Sequence, residues 1–185
     1  MKKLLFIMVA LCMATTIDAQ VYAGGGIGFT RTTEALNKST IFRLMPEAGY
    51  RINDRWAIGL SLGYANSKNS TEVSGMESEL KLTQYNFNPY ARYTFAKLDK
   101  VGLFVDGGVE YIHRDIKGSY DTNAWNIGLR PGISFAVNDK ISLVAQVGFL
   151  GYRTQKSDFE GAIATNTFTA DIDGNDLSFS VYYNF

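Results

Sequence analysis

Apolar residues alternate with polar or small ones along the chain beyond residue 20, and the alternation recurs eight times. The first runs read Val21, Ala23, Ile27 and Phe29, then Phe42, Leu44, Ala48, Tyr50 and Ile52. Next come Trp56, Ile58, Leu60, Leu62 and Tyr64, then Tyr85, Phe87, Ala91, Tyr93 and Phe95, then Val101, Leu103, Val105, Val109 and Tyr111. The last three are Trp125, Ile127, Leu129, Ile133 and Phe135; Ile141, Leu143, Ala145, Val147 and Phe149; and Leu177, Phe179, Val181, Tyr183 and Phe185. A period of two predicts strands with one apolar face. Each run is about as long as the ~9 to 11 residues that a tilted membrane strand requires.

The connections alternate as well. Asn53-Asp54, Lys97 to Lys100 and Asn138-Asp139-Lys140 are tight, whereas 32–39, 66–79, 113–122 and 153–174 are long. Tight turns on one side and long loops on the other are the topology of an outer-membrane barrel. With an even strand count, both chain ends are expected on the periplasmic side. All three prolines fall at one place in a hairpin-scale repeat: Pro46 to Asp54, Pro89 to Phe95, and Pro131 to Asp139. Proline cannot donate to a ladder, so the matched set predicts a bulge or bend at one height.

Alternation alone does not separate a membrane barrel from a soluble one, but volume does. Aromatic side chains crowd the apolar face, while the opposite face carries glycines 24, 26, 28, 49, 59, 63, 102, 108, 128, 132 and 148. Eight strands leave an interior only just wide enough for side chains to fill. The glycine face is therefore expected inside. The apolar aromatics gather near strand ends: Tyr50, Trp56, Tyr93, Phe95, Phe135 and Phe185 at one, and Phe29, Phe42, Tyr64, Tyr85, Trp125 and Phe149 at the other. Two interfacial girdles are expected, with aliphatic residues between them facing acyl chains.

The chain begins Met1-Lys2-Lys3, continues through an apolar stretch from Leu4 to Ala14, and reaches Thr15 to Ala19 before Gln20. That order predicts a secretory signal peptide over 1–19 and a single barrel domain over 20–185. Cys12, the only cysteine, lies inside the apolar core after Leu11, where a lipoprotein signal would need a small residue. No disulfide or thiolate chemistry is expected of the mature chain. Its 166 residues carry 16 basic and 17 acidic side chains, which leaves no nucleic-acid footprint.

By parity the inward positions include Arg43, Glu47, Arg51, Gln84, Asn86, Asn88, Arg92, Asp106, Glu110, Asn126, Arg130, Gln146 and Tyr182. Buried charges in that number must pair, since each unpaired one carries a desolvation penalty of several kcal/mol. A tight turn across Lys97 to Lys100 brings Arg92 and Asp106 nearly opposite each other. The lumen network of Arg43, Glu47, Arg51, Arg92, Asp106, Glu110 and Arg130 is expected to act as a polar plug, with a gated or ion-selective pore as the alternative. His113 at the outer rim, with Ser119 and Asp115 nearby, is the only candidate base for a surface hydrolase, and parity places it toward lipid or loop. Asp171-Ile-Asp173-Gly174-Asn175-Asp176 resembles the start of a calcium loop, but Asp176 stands where glycine is expected and Tyr182 replaces the closing glutamate. A solvated acidic turn is expected instead, and neither a metal nor a cofactor.

The eight strands and the ending Leu177-Ser-Phe-Ser-Val-Tyr-Tyr-Asn-Phe185 resemble the small outer-membrane β-barrel family of OmpX- and OmpA-like proteins over Gln20 to Phe185. The resemblance implies an all-β, eight-stranded antiparallel up-and-down barrel. It further implies that Tyr183 and Phe185 belong to a C-terminal signal read by the barrel-assembly machinery. Family members serve as adhesins, structural anchors, narrow pores and occasionally lipid-modifying enzymes, so membership implies fold and place only. The expectation is a non-enzymatic barrel contacting outer-membrane lipid and lipopolysaccharide, with its loops open to a host or envelope protein.

Overall fold

The computed structural model describes residues 20–33, 37–73, 76–171 and 178–185. Their ten strands are β1 (Val21–Thr33), β2 (Asn37–Arg51), β3 (Trp56–Val73), β4 (Met76–Leu98), β5 (Val101–Ile116), β6 (Thr122–Ala136), β7 (Ile141–Gln146), β8 (Phe149–Ser157), β9 (Thr165–Asp171) and β10 (Ser178–Asn184). β6 pairs with both β7 and β8, while β10 pairs with β7 and β9 with β8. The ten segments are thus eight staves. Pairing of β5 with β6 and of β1 with β10 closes them into one antiparallel barrel. Closure is what a bilayer demands, because backbone N–H and C=O groups in hydrocarbon find no partner but each other.

Two of the tight turns are copies of one another. Asn53 Oδ1 accepts the backbone N–H groups of Arg55 and Trp56, both at 2.9 Å, and Asn138 Oδ1 accepts those of Lys140 and Ile141 at 2.9 and 2.8 Å. An asparagine side chain that imitates a backbone turn explains why Asn-Asp stands at both places. The third turn seats Asp99 in the left-handed region at φ 50°.

The stretches expected as long loops are largely strand. β3 and β4 stay paired from Asn66 opposite Thr83 to Val73 opposite Met76, far past the aromatic girdle. Thr, Ser, Asn and Lys there are polar on both faces, so the apolar alternation disappears while the ladder continues. Cross-strand pairs hold it, as where Lys68 and Lys81 reach the Glu79 carboxylate at 2.5 and 2.6 Å. β8 and β9 stay paired from Phe149 opposite Asp171 to Gln155 opposite Thr165, so the last two staves continue as strand into the expected 153–174 loop.

Each proline interrupts the ladder to the following stave and keeps the ladder to the preceding one. Pro46 pairs with Gly25, Pro89 with Leu60 and Pro131 with Val105. The register passes Pro46 and Pro89 without a shift. Opposite Pro131 it does shift: Gly132 faces Gln146 but Leu129 faces Leu150, which leaves one extra residue on the seventh stave. Gly148 absorbs it with φ +68°. A second shift, between Thr94 and Ala96, lies near the β4 turn.

That bulge at Gly148 corrects one assignment. Past it the alternation reverses, so Phe149 points into the barrel at 6% exposure instead of joining the outer girdle. The other expected outer aromatics, Phe29, Phe42, Tyr64, Tyr85 and Trp125, are exposed on the outer wall, and Tyr64 packs on Tyr85 with centroids 5.6 Å apart.

The lumen is not glycine-walled space either. Tyr22, Tyr90, Phe104, Phe149 and Tyr182 all point inward and are buried. Four of these rings face glycine directly across a ladder: Tyr22 opposite Gly49, Tyr90 opposite Gly59, Phe104 opposite Gly132 and Tyr182 opposite Gly24. The ring lies flat over its partner, and an added Cβ would overlap it. Phe149 uses two glycines, 128 and 151, whose added Cβ atoms would stand 2.7 Å from its ring. Glycine thus supplies the ring's volume. Gly59→Ala and Gly132→Ala should each lower stability by about 1–3 kcal/mol in urea unfolding of the micelle-refolded barrel. Gly28→Ala, whose Cβ would meet Arg43 at an ordinary 3.5 Å, should shift it by less than about 0.5 kcal/mol.

Candidate functional site

The staves bring the inward polar residues together in three tiers. In the lowest, Tyr22 stacks on Tyr182 with centroids 5.1 Å apart, and Arg51 donates from Nη2 to Asn184 Oδ1 at 2.6 Å. Arg51 lies over the Tyr22 ring at 5.7 Å and has no carboxylate partner among the described residues.

The middle tier is the waist. The β4–β5 register places Arg92 opposite Asp106, and the two form a bidentate pair, Nε to Oδ1 at 2.7 Å and Nη2 to Oδ2 at 2.8 Å. Arg92 is 8% and Asp106 5% exposed, so the pair is removed from water and must be satisfied within the protein. Gln146 donates to Asp106 Oδ2 at 2.5 Å, and the Arg92 guanidinium lies 4.0 Å from the Phe104 centroid. Glu47 approaches Arg92 Nη2 at 3.7 Å and accepts the hydroxyls of Tyr182, at 2.6 Å, and Tyr90. Tyr22 and Tyr90 share a hydroxyl contact at 2.6 Å, which ties the lowest tier to the waist.

In the upper tier Glu110 collects three donors. Arg130 Nη2 reaches it at 2.8 Å, Asn126 Nδ2 at 2.9 Å and Asn86 Nδ2 at 2.7 Å, and Gln84 extends the chain by donating to Asn86 Oδ1 at 2.8 Å. Arg130 also lies over the Phe149 ring at 5.2 Å. Between waist and upper tier lies a cavity of about 40 Å³, lined by Glu47, Asn88, Asp106, Glu110, Arg130 and Phe149 among others. That volume exceeds the ~10–15 Å³ a cavity needs to take a water, so there is room for only a few. Asn88 Oδ1 is buried there without a protein hydrogen-bond partner.

Of the seven network residues expected from the sequence, Glu47, Arg92 and Asp106 are joined at the waist, and Glu110 and Arg130 form a second cluster in the upper tier. Arg51 belongs to the separate lower tier. Arg43 stands apart: it is exposed on β2 and meets no carboxylate within 4.0 Å among the described residues. Several further inward side chains are not singled out by the sequence, among them Gln155 and Asn184, which accept from Arg114 and Arg51. Tyr22, Tyr90 and Phe104 sit at ordinary inward positions, where an aromatic breaks the rule that rings belong to the lipid face. Arg114 and Arg153 fall in stretches that read as loops and are in fact strand.

His113 points outward at the rim. Its Nδ1 lies 2.8 Å from Asn123 Oδ1, its Nε2 lies 3.8 Å from Asp121 Oδ2, and its ring stacks on Tyr85 at 6.5 Å. Among the described residues no serine hydroxyl bonds to it. Of the acidic run Asp171 to Asp176, residues 172–176 lie outside the described residues. At the chain end, Tyr183 and Phe185 are exposed on the outer wall with centroids 5.0 Å apart, and the Phe185 N–H bonds to Val21 O at 3.0 Å, which stitches the last stave to the first.

A closed eight-stave barrel with an apolar, aromatic-belted outside and a polar, packed inside is a membrane protein of the outer-membrane β-barrel class. The chain belongs to the outer membrane protein beta-barrel domain family, whose model matches residues 4–185. No curated protein matches its sequence. In fold it is similar to Neisserial surface protein A, at 20% identity and a TM-score of 0.52, covering 89% of this chain and 97% of that one. It is also similar to a major outer membrane protein from Thermus thermophilus, at 13% identity and a TM-score of 0.51, covering 91% and 100%.

Removing one partner of the waist pair leaves the other buried and uncompensated. Arg92→Ala should cost about 3–5 kcal/mol in urea unfolding. Arg92→Met combined with Asp106→Leu and Glu47→Gln should cost less than that single change, because neither waist carboxylate is then left buried without its guanidinium.

Proposed function

We propose that this outer-membrane barrel is a non-enzymatic surface protein whose lumen is plugged. The observation that carries this is the waist, where Arg92, Asp106, Glu47, Tyr90, Tyr182 and Phe104 occupy the cross-section and the adjoining cavity has room only for a few waters. Conduction would require that packed cluster to be displaced. Activity therefore falls to the outside. The projecting hairpins and loops serve adhesion or envelope contacts, the wall meets outer-membrane lipid and lipopolysaccharide, and the barrel supports membrane integrity. On this proposal residues 1–19 direct export, both mature termini are periplasmic, and Tyr183 and Phe185 present the terminal strand to the barrel-assembly machinery.

The Tyr120–Phe159 ring pair, centroids 5.3 Å apart and 61% and 46% exposed, gives the outer loops an apolar spot suited to a protein or sugar partner. A pull-down comparing the intact barrel with a variant lacking residues 158–164 reads that contribution: loss of a specific partner in the deletion is expected. A narrow diffusion channel is the second reading, and a planar bilayer separates the two. Wild type should give no stable stepwise conductance; steps that Arg92→Ala enlarges would establish the channel instead. The enzyme reading is less favoured because, among the described residues, His113 has no nucleophile beside it.

A further inference from the structure

The lumen changes electrostatic character between waist and mouth. At the waist and in the upper tier every carboxylate has an arginine within 4.0 Å: Asp106 and Glu47 share Arg92, and Glu110 has Arg130. Above them Arg114 on β5 and Arg153 on β8 also face inward, and neither has a carboxylate within 4.0 Å among the described residues. Neutral amide oxygens hold them instead. Arg114 donates from Nε to Gln84 Oε1 at 2.9 Å and from Nη1 to Gln155 Oε1 at 3.0 Å, and Arg153 donates from Nε to Asn126 Oδ1 at 2.9 Å. Gln155, which accepts from Arg114, stands two residues from Arg153 on the same face of β8, so the two guanidinium groups are neighbours on one side of the mouth.

Two like charges fixed side by side repel, and a mouth evolved only to be filled would place a carboxylate between them. The relay does the reverse. Gln84, Asn86 and Asn126 connect both arginines to Glu110, whose charge is already met by Arg130. The amides therefore fix the direction of the guanidinium forks without neutralising them. A guanidinium has five N–H donors. Arg114 spends two and Arg153 one on these bonds, so both forks keep donors for a further acceptor. Paired forks of this kind match the oxygens of a tetrahedral oxyanion, and a mouth lined with one sign of charge concentrates anions.

We infer that the outward mouth of the lumen is a binding site for a small, soluble phosphate-type oxyanion, held between Arg114 and Arg153 and oriented by the Gln84, Gln155 and Asn126 amides. The ligand is soluble because both arginines face the lumen, whereas lipid headgroups lie against the outer wall. The site sits above the waist and does not depend on whether the waist conducts.

Titration calorimetry of the full refolded barrel in a maltoside micelle, which carries no phosphate, tests this with inorganic phosphate at constant ionic strength. Saturable binding is expected with a Kd on the order of 1 mM. Arg114→Gln and Arg153→Gln should each weaken it about tenfold, and the double variant should abolish it. Lys156→Gln, on the outward face of β8, should leave it unchanged. Circular dichroism reports folding of each variant. Should a variant not fold, the wild-type Arg153 Nε–H resonance still decides, since it should shift with phosphate and not with equal chloride. The same affinity is expected in nanodiscs containing lipopolysaccharide, and its loss there would overturn the assignment to a soluble anion. Absence of saturation in wild type, a double variant that binds like wild type, or an Arg153 resonance indifferent to phosphate would overturn the site itself.

Discussion

An inward side chain in an eight-stave barrel has about one side chain's width to share with the residue across from it. The protein meets this constraint by setting its inward rings against glycines. Tyr22, Tyr90, Phe104 and Tyr182 each occupy their own place and that of the glycine on the neighbouring stave. The Tyr22, Tyr90 and Phe104 pairs also specify register, since sliding a stave by two residues would set the ring against Glu47 or Arg51, Ala57 or Ser61, and Arg130 or Ser134, where no glycine makes room. Packing, register and the position of the charges therefore have one origin. Only with the rings in place do their hydroxyls converge on Glu47, and only with Phe104 flat over Gly132 does the Arg92 guanidinium lie against its face.

The same packing sorts charge by depth. Where rings exclude water, each carboxylate gathers a guanidinium and one or two neutral donors, as buried ions must. Toward the outward mouth the rings give way to amides, and arginines stand without a counter-charge among the described residues. The outer wall repeats the logic against a different solvent: aliphatic residues at mid-height, aromatics near both ends, and hairpins rich in Thr, Ser, Asn and Lys beyond them. A barrel built in this way separates two tasks. The waist holds the fold together, while the mouth and the hairpins are left to meet other molecules.

Much of this was legible in the sequence because the membrane enforces a strict period of two. Eight staves, their order, the tight turns and the inward side of Arg92, Asp106, Glu110 and Arg130 all follow from alternation. It fails where the backbone breaks the period. Gly148 adopts a positive φ, and the parity beyond it inverts, which misplaces Phe149 and hides Arg153. It also fails where the period persists without its apolar signal, as in the polar upper halves of β3 and β4. The inward tyrosines need a second kind of information. Tyr22 and Gly49 face each other across a hairpin, as do Phe104 and Gly132, and a register counted outward from the turns would match each ring to its glycine. Arg43 shows the remaining limit: parity assigns a face but not a depth, and a long side chain near the mouth can reach water.

Solvent exchange of the Arg92 guanidinium Nε proton, followed by nuclear magnetic resonance on the refolded barrel, tests the filled waist most directly. A lumen closed by rings around a bidentate Arg92–Asp106 pair predicts that this proton persists in deuterated buffer long after those of Arg114 and Arg153 have exchanged. Exchange of Arg92 as fast as that of the two mouth arginines would mean that water reaches the waist freely, and that the barrel is an open channel instead of a packed one.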